Sequence, residues 1–472
     1  MNTRIRNLFG LVVLLFAVLI GFTSYWSVFD ADELEANPAN KRPLLEEQQI
    51  RRGLILAADG TVLARNRGSG NSPRFYERVY PQGGLFSHPV GYSFVERGRV
   101  ALEREYNDEL TGKHQEFETI FDELRGRERE GDDLVTTLDP GAQRTAIDAL
   151  AGRAGAIVAL EPSTGRVRTM VSFPGYDPNS IPDRFSDLRR APRSPLLNRT
   201  VQSGYPPGST FKVVTATAAI DSGRFTPQSF VDGKSPKEIG GVPLTNFGGQ
   251  DFGRITLTDA LTNSVNTVWA TVAERVGKRT MYDYMRRYGF NRKPLLDLPR
   301  DEMRASGVYD RNGNLLRVSD AVDIGRVAIG QERLQVTPLQ MALVPAAIAN
   351  GGSLMRPHIV RDVRDRDGRV VRRVKPSEQS DVMKPSTASA LAQMMSNVVE
   401  EGTGTAAALE GIDVAGKTGT AEIGTLNQAW FIAFAPVQRP RVAIAVTVER
   451  TAGQGGTVAA PIAKQVMQEL LR

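Results

Sequence analysis

Between Leu8 and Phe29 the chain carries no charged residue and is mostly apolar. A helix needs about 20 such residues to cross the hydrocarbon of a bilayer, so this run constrains where the rest of the chain can fold. Arg4 and Arg6 precede it, and Asp30, Asp32, Glu33 and Glu35 follow it. Positive charge stays on the cytoplasmic side, which puts the N-terminus inside and everything after residue 30 outside. A cleavable signal peptide has a shorter apolar core and a small-x-small cleavage site; none is evident after Phe29. The run therefore reads as an uncleaved, single-pass membrane anchor at residues 8–29, behind a cytoplasmic tail at residues 1–7.

The formal charge of +6 comes from 59 Lys and Arg against 53 Asp and Glu, interspersed along the chain. Mixed charges of this kind make solvated faces and argue against nucleic acid as a partner. No cysteine is present, so there is no disulfide framework, thiolate nucleophile or cysteine metal site. His88, His114 and His358 lie far apart in sequence, and none belongs to a His-Glu-x-x-His pattern. No metal and no cofactor are expected.

The 472 residues allow two or three domains. Asp30 to Gln48 is polar, contains Pro38 and Pro43, and reads as a spacer. In Ile50 to Arg65, apolar residues flank Asp59-Gly60, a dipeptide that favours a tight hairpin turn. Arg74 to Tyr80 and Asp133 to Leu138 read as strands, with a charged helical stretch from Phe117 to Glu130. Residues 30–150 thus form a small mixed domain with no chemistry of its own. Asp139-Pro140 is a cap followed by a first-turn proline and predicts a helix to about Leu150.

Ala154 to Leu160 and Val167 to Phe173, around Pro162-Ser163-Thr164-Gly165, predict a hairpin. An irregular, Pro-rich passage follows from Pro174 to Pro207. Helices are predicted at Leu257 to Val276, Arg279 to Tyr288, Thr337 to Ala349, Ser386 to Glu400 and Pro461 to Leu471. Strands are predicted at Asp413 to Ala421, Ala429 to Pro436 and Arg441 to Val448. Arg361 to Lys375 alternates Arg with Asp around Asp367-Gly368 and reads as an exposed hairpin. Strands at both ends of residues 151–472, with helices between them, imply an α+β domain whose sheet joins its beginning to its end.

The chemistry is concentrated in Tyr205-Pro206-Pro207-Gly208-Ser209-Thr210-Phe211-Lys212. The Pro-Pro-Gly breaker hands over to an apolar run that reaches Ile220, so Ser209 falls in a first helical turn and Lys212 one turn further on. Residues i and i+3 share a helix face, which sets a nucleophile beside a candidate base. A serine hydroxyl needs such a base to attack an acyl carbon. A lysine serves if burial or a second cation keeps its amine neutral. Unpaired N–H groups at the helix start favour negative charge near Ser209. A serine at a helix start is also an ordinary cap, so the remaining signals decide.

Those signals are Thr262-Asn263-Ser264-Val265-Asn266 and Gly416-Lys417-Thr418-Gly419-Thr420-Ala421-Glu422. Ser209 heads the only Ser-x-x-Lys and Lys417 the only Lys-Thr-Gly, whereas Ser-x-Asn recurs at Ser69 to Asn71 in a Gly-Ser loop. The three in this order are the signature of penicillin-recognising serine enzymes. The chain resembles penicillin-binding transpeptidases of the single-function class B type, in particular a short actinobacterial form. Arg52-Gly53-Leu54-Ile55 with Asp59-Gly60 looks like the family's early pedestal motif. Gly330-Gln331 with Val336-Thr337-Pro338-Leu339-Gln340 looks like its mid-domain signature. Val398-Val399 with Gly402-Thr403-Gly404-Thr405 resembles the segment before its Lys-Thr-Gly strand.

The resemblance implies a five-stranded antiparallel sheet with helices on both faces, preceded by a small pedestal domain and one transmembrane helix. It implies that Ser209 attacks the penultimate D-alanine carbonyl of a peptidoglycan stem peptide, or a β-lactam, with Lys212 taking its proton. Ser264 relays a proton toward the leaving amine, Asn266 contacts the peptide or Lys212, and Lys417 supplies positive potential. Thr418, Gly419 and Thr420 line the carboxylate site, and the N–H groups of Ser209 and Thr420 form the oxyanion hole. Trp430 and Phe434, at alternating strand positions, are expected to pack the core, and Glu422 to be a solvated strand-end charge.

A class A β-lactamase deacylates through a glutamate-bound water, but no Glu-x-x-Leu-Asn occurs between Asn266 and Lys417. A D,D-carboxypeptidase differs only in preferring water to an amine as acceptor, and that alternative stays open. A membrane β-lactam sensor would need spans coupled to a cytoplasmic output domain. The region before Gly155 contains nothing that resembles a glycosyltransferase, so polymerisation is expected from a partner, a multispanning glycosyltransferase.

Overall fold

The computed structural model describes residues 2–28, 45, 47–69, 72–113 and 130–472. Helix α1 (Asn2–Val28) is exposed from Thr3 to Ser27, and that portion is long and apolar enough to cross a membrane. The Asp30 to Gln48 spacer lies mostly, and the Phe117 to Glu130 stretch almost wholly, outside the described residues.

The strands that matter below are β1 (Ile55–Leu56), β2 (Val62–Ser69), β3 (Ser72–Val79), β4 (Asp133–Thr136), β5 (Gly155–Leu160) and β6 (Val167–Phe173). They continue with β7 (Val360–Arg364), β8 (Val370–Arg373), β9 (Ala415–Ile423), β10 (Leu426–Ala435) and β11 (Val442–Thr451). The longer helices after α1 are α2 (Pro140–Leu150), α3 (Ile181–Arg190), α4 (Lys212–Asp221), α5 (Leu257–Thr262) and α6 (Asn266–Val276). Then come α7 (Lys278–Arg287), α8 (Pro338–Ala349), α9 (Pro385–Glu400) and α10 (Ala460–Leu471).

Two sheets organise the molecule. The first has the order β8-β7-β4-β1-β2-β3, with β1 parallel to β4 and the other neighbours antiparallel. Asp59-Gly60 turns β1 into β2 as the dipeptide predicts: Gly60 takes φ +90°, and Asp59 Oδ1 accepts from the Thr61 N–H at 2.9 Å. The hairpin of β7 and β8 turns at Asp365–Arg369 and leaves β8 exposed, but β7 is inserted beside β4 with Asp362 buried. This corrects the expectation of a wholly exposed hairpin. Its inner strand buries Val360 and Val363, and its backbone is paired with β4 on one side and β8 on the other.

The second sheet is antiparallel throughout, in the order β9-β10-β11-β5-β6. Its end strands come from opposite ends of residues 155–451, and Val448 pairs with Gly155 at the join. Side chains alternate between faces along a strand. Trp430, Ile432 and Phe434 enter the core shared with α8, while Phe431, Ala433 and Ala435 enter the one shared with α2 and α10. Helices therefore cover both faces.

Two further predictions fail locally. The passage from Pro174 to Pro207 contains α3, which starts with Pro182 in its first turn, where a missing N–H costs nothing. Leu257 to Val276 is two helices, because the chain breaks between Asn263 and Val265, with Ser264 at φ +58°.

Candidate active site

The segment before Ser209 is held by backbone bonds and glycine contacts. Tyr205 N–H donates to Val336 O at 3.0 Å and Val336 N–H returns a bond to Tyr205 O at 2.9 Å, so Pro206 and Pro207 leave a fixed backbone bridge. Gly208 takes φ +53° and opens a 3₁₀ turn, Gly208–Phe211, that runs into α4. A Cβ at Gly208 would lie 2.6 Å from Thr420 O, and one at Gly330 would lie 1.9 Å from Gly208 O. Only glycine allows three backbones to meet there. The Ser209 turn is thereby pressed between β9 and the turn at Gly330, and the Ser209 and Thr420 backbones become neighbours.

Ser264 sits in the left-handed break between α5 and α6. Such a conformation costs a non-glycine residue on the order of 1 kcal/mol. It lets both oxygens of Ser264 face the buried Lys212: Nζ donates to Ser264 O at 2.6 Å, approaches Ser264 Oγ at 3.2 Å and donates to Asn266 Oδ1 at 2.7 Å. The other end of the Asn266 amide donates to Thr245 O at 3.0 Å, which fixes its orientation. From the opposite wall Lys417 Nζ, also buried, donates to Ser264 Oγ at 3.0 Å and to Thr418 O at 3.2 Å. One hydroxyl thus stands between two amines.

Burial, and then the charge of Lys417, push Lys212 well below its ordinary pKa of 10.5. Burial alone lowers Lys417 to about 7. A neutral Lys212 has two N–H groups, which Ser264 O and Asn266 Oδ1 can occupy, and one lone pair left over for a hydroxyl proton.

Ser209 is half-buried, and its hydroxyl makes no hydrogen bond among the described residues. Lys212, expected beside Ser209, is bonded instead to Ser264 and Asn266. Gly419 packs against the Ser209 turn, since a Cβ there would lie 2.6 Å from Pro207 O. Thr418 is buried with its hydroxyl 2.6 Å from that of Thr403, and half-buried Thr420 Oγ1 accepts from the Gly455 N–H at 3.1 Å. Glu422 is exposed.

Several supporting residues had no role in the sequence reading. In the sequence Thr403 stands only as one residue of the Gly402-Thr403-Gly404-Thr405 run. Trp430 is core, as expected, yet its Nε1 also donates to Pro206 O at 2.9 Å. Glu449 takes the Tyr205 hydroxyl and Arg199 Nε, the latter at 2.9 Å, and so braces the same segment. A Cβ at Gly455 would lie 2.3 Å from Gly419 O. The Gly455-Gly456 pair ahead of the last helix was the one signal that could have marked this wall.

Comparison with known proteins gives a consistent result. Residues 155–468 match the penicillin binding protein transpeptidase domain, and residues 52–134 match the penicillin binding protein A dimerisation domain. The chain is similar to the peptidoglycan D,D-transpeptidase PbpA of Mycolicibacterium smegmatis, with 34% identity over 501 residues covering 100% of this chain and 99% of the relative. It is 32% identical over 500 residues to PbpA of Mycobacterium tuberculosis strain H37Rv, again covering 100% and 99%. Among solved structures it is similar to the imipenem acyl-enzyme complex of penicillin-binding protein A from M. tuberculosis, with a TM-score of 0.82, 32% identity, and coverage of 90% of this chain and 100% of that one. The penicillin G acyl-enzyme complex gives a TM-score of 0.81 at 32% identity, with coverage of 89% and 100%.

Proposed function

The chain belongs to the penicillin-binding-protein transpeptidase family, and we propose that Ser209 is the residue through which it works. It is a peptidoglycan D,D-transpeptidase, a serine-type acyl transferase of cell-wall synthesis that β-lactams acylate. Ser209 Oγ attacks the carbonyl of the penultimate D-alanine of a stem peptide, and its proton passes to the Lys212 lone pair. The oxyanion is met by the Ser209 and Thr420 N–H groups, a contribution of about 3–4 kcal/mol per donor in comparable sites. The proton then moves through Ser264 Oγ to the departing D-alanine amine, leaving an ester on Ser209. The amine of a second stem peptide attacks that ester, and the product is a peptide crosslink. Thr418, Gly419 and Thr420 hold the terminal carboxylate beside Lys417, and Asn266 keeps Lys212 aimed.

The observation that carries this reading is Ser264 Oγ between Lys212 Nζ at 3.2 Å and Lys417 Nζ at 3.0 Å, with Ser209 one turn before Lys212, half-buried and its hydroxyl without a hydrogen bond among the described residues. It supplies the base, the relay and the second cation together. A fluorescent penicillin is expected to label the purified protein covalently and Ser209→Ala to abolish labelling; labelling that persists in Ser209→Ala removes the assignment. Supplying a stem-peptide donor with an amine acceptor separates crosslinking from carboxypeptidase action. Tetrapeptide as the only product would assign the protein to hydrolysis.

We place residues 1–7 in the cytoplasm, 8–29 across the membrane, a pedestal domain at 30–150 and the catalytic domain at 151–472, both outside. Protease added to spheroplasts is expected to degrade all but the N-terminal fragment. Glycan strands come from a multispanning glycosyltransferase bound in the same membrane. Its absence from a detergent-solubilised pull-down of the full chain would count against that partner.

A further inference from the structure

We propose that Thr403 is a specificity-determining residue, a positioning residue that fixes the Thr418 hydroxyl as a donor toward the substrate's terminal carboxylate. The inference rests on the carboxylate-binding role given to Thr418 above.

A threonine hydroxyl has one proton to give and lone pairs to accept with. Lys417 Nζ is engaged with Ser264 Oγ at 3.0 Å and Thr418 O at 3.2 Å, and reaches Thr418 Oγ1 only at 3.5 Å. The close partner of Thr418 Oγ1 is Thr403 Oγ1 at 2.6 Å, and either hydroxyl can be the donor. A carboxylate removes that ambiguity because it only accepts. When it meets Thr418, the Thr418 proton must point outward, and its oxygen is then free to take the proton of Thr403. The chain Thr403 to Thr418 to carboxylate has every bond in one direction, and such chains strengthen one another.

Thr420 has the matching arrangement, since its oxygen already accepts from the Gly455 N–H and its proton is left to donate. Both hydroxyls of the strand are thereby set as donors, one by a backbone N–H and the other by Thr403. The loop that carries Thr403 is held rigidly for this. A Cβ at Gly456 would lie 2.5 Å from Thr403 O, one at Gly402 would lie 2.6 Å from Thr262 O, and the Gly404 N–H donates to Val398 O at 2.8 Å. Thr403 is exposed whereas Thr418 is buried, so the pair opens outward. A ligand with a terminal carboxamide or ester presents fewer acceptor sites or an opposing donor to this row, and is selected against.

The test compares acylation of the purified protein by benzylpenicillin, which has a free carboxylate, with acylation by its methyl ester. Thr403→Val is expected to lower the second-order acylation constant for the acid by about fivefold, the scale of a hydrogen bond between two neutral groups, and that for the ester by less than about twofold. Thr403→Ser, which keeps the hydroxyl, is expected to restore the acid-to-ester ratio, and Thr403→Val added to Thr418→Val to change nothing further. Thr403→Ala repeats the comparison if the valine variant folds poorly. Equal losses for acid and ester, no loss for the acid, or failure of serine to restore the ratio would overturn the proposal. Wild type that penicillin does not label would instead refute the transpeptidase assignment of Ser209.

Discussion

Lys212 and Lys417 are buried on either side of one hydroxyl, where water cannot solvate two positive charges. Two amines placed this way repel one another when both are charged, so their titration belongs to the pair. Burial, then the Lys417 charge, lower Lys212 well below 10.5, and burial lowers Lys417 to about 7. Acylation by penicillin is therefore expected to rise with pH as Lys212 loses its proton, and to fall above about 7 as Lys417 loses the charge that attracts the carboxylate. Stopped-flow acylation rates across the neutral range check this; a rise that continues into the alkaline range would contradict it. Stability has its own sign. The unfolded chain keeps these protons up to about 10.5 while the folded chain does not, so stability is expected to increase with pH between about 7 and 10, and less so in Lys417→Met.

The elements that meet at the Ser209 turn are set by close backbone approaches. Gly330→Ala would place a Cβ 1.9 Å from Gly208 O at a residue with φ +76°. The Ser209 turn would have to shift, with a loss of about 1–3 kcal/mol in stability for the strained conformation and of about a hundredfold in acylation rate for a misplaced nucleophile. Thermal melts and penicillin acylation measure the two. The Ser209 turn, α8, α9 and the three late strands were legible in the sequence because caps, breakers and apolar periodicity are local. The break at Ser264 was not. Its apolar spacing suits one helix, and what makes the left-handed turn worthwhile is Lys212, which lies 52 residues away.

At the scale of the molecule, residues 358–364 stitch the two sheets together. The His358 N–H donates to Gly165 O at 3.0 Å and the Val167 N–H to His358 O at 2.9 Å, while Val360 to Arg364 pairs with β4. Asp297 takes the Ile359 N–H at 2.7 Å, the Val360 N–H at 2.8 Å and the Tyr106 hydroxyl at 3.0 Å, so one carboxylate clamps the join. Asp297→Ala is expected to cost about 2–4 kcal/mol, since it strips partners from two backbone donors, and to leave penicillin acylation of the folded protein within about threefold of wild type. Chemical denaturation and acylation rates separate the two effects. A division of labour is plain in this chain. Sequence alone marked an apolar run long enough to cross a membrane, most of the elements, and the ordered motifs that contain Ser209, Lys212, Ser264, Asn266 and Lys417, because hydropathy, capping and motif order are written in neighbouring residues. The tertiary structure decided that Lys212 bonds Ser264 and Asn266, that Thr403 meets Thr418, and that β7 completes the first sheet. Those depend on which distant segments share a buried space, and burial in that space is what lowers the pKa of both lysines.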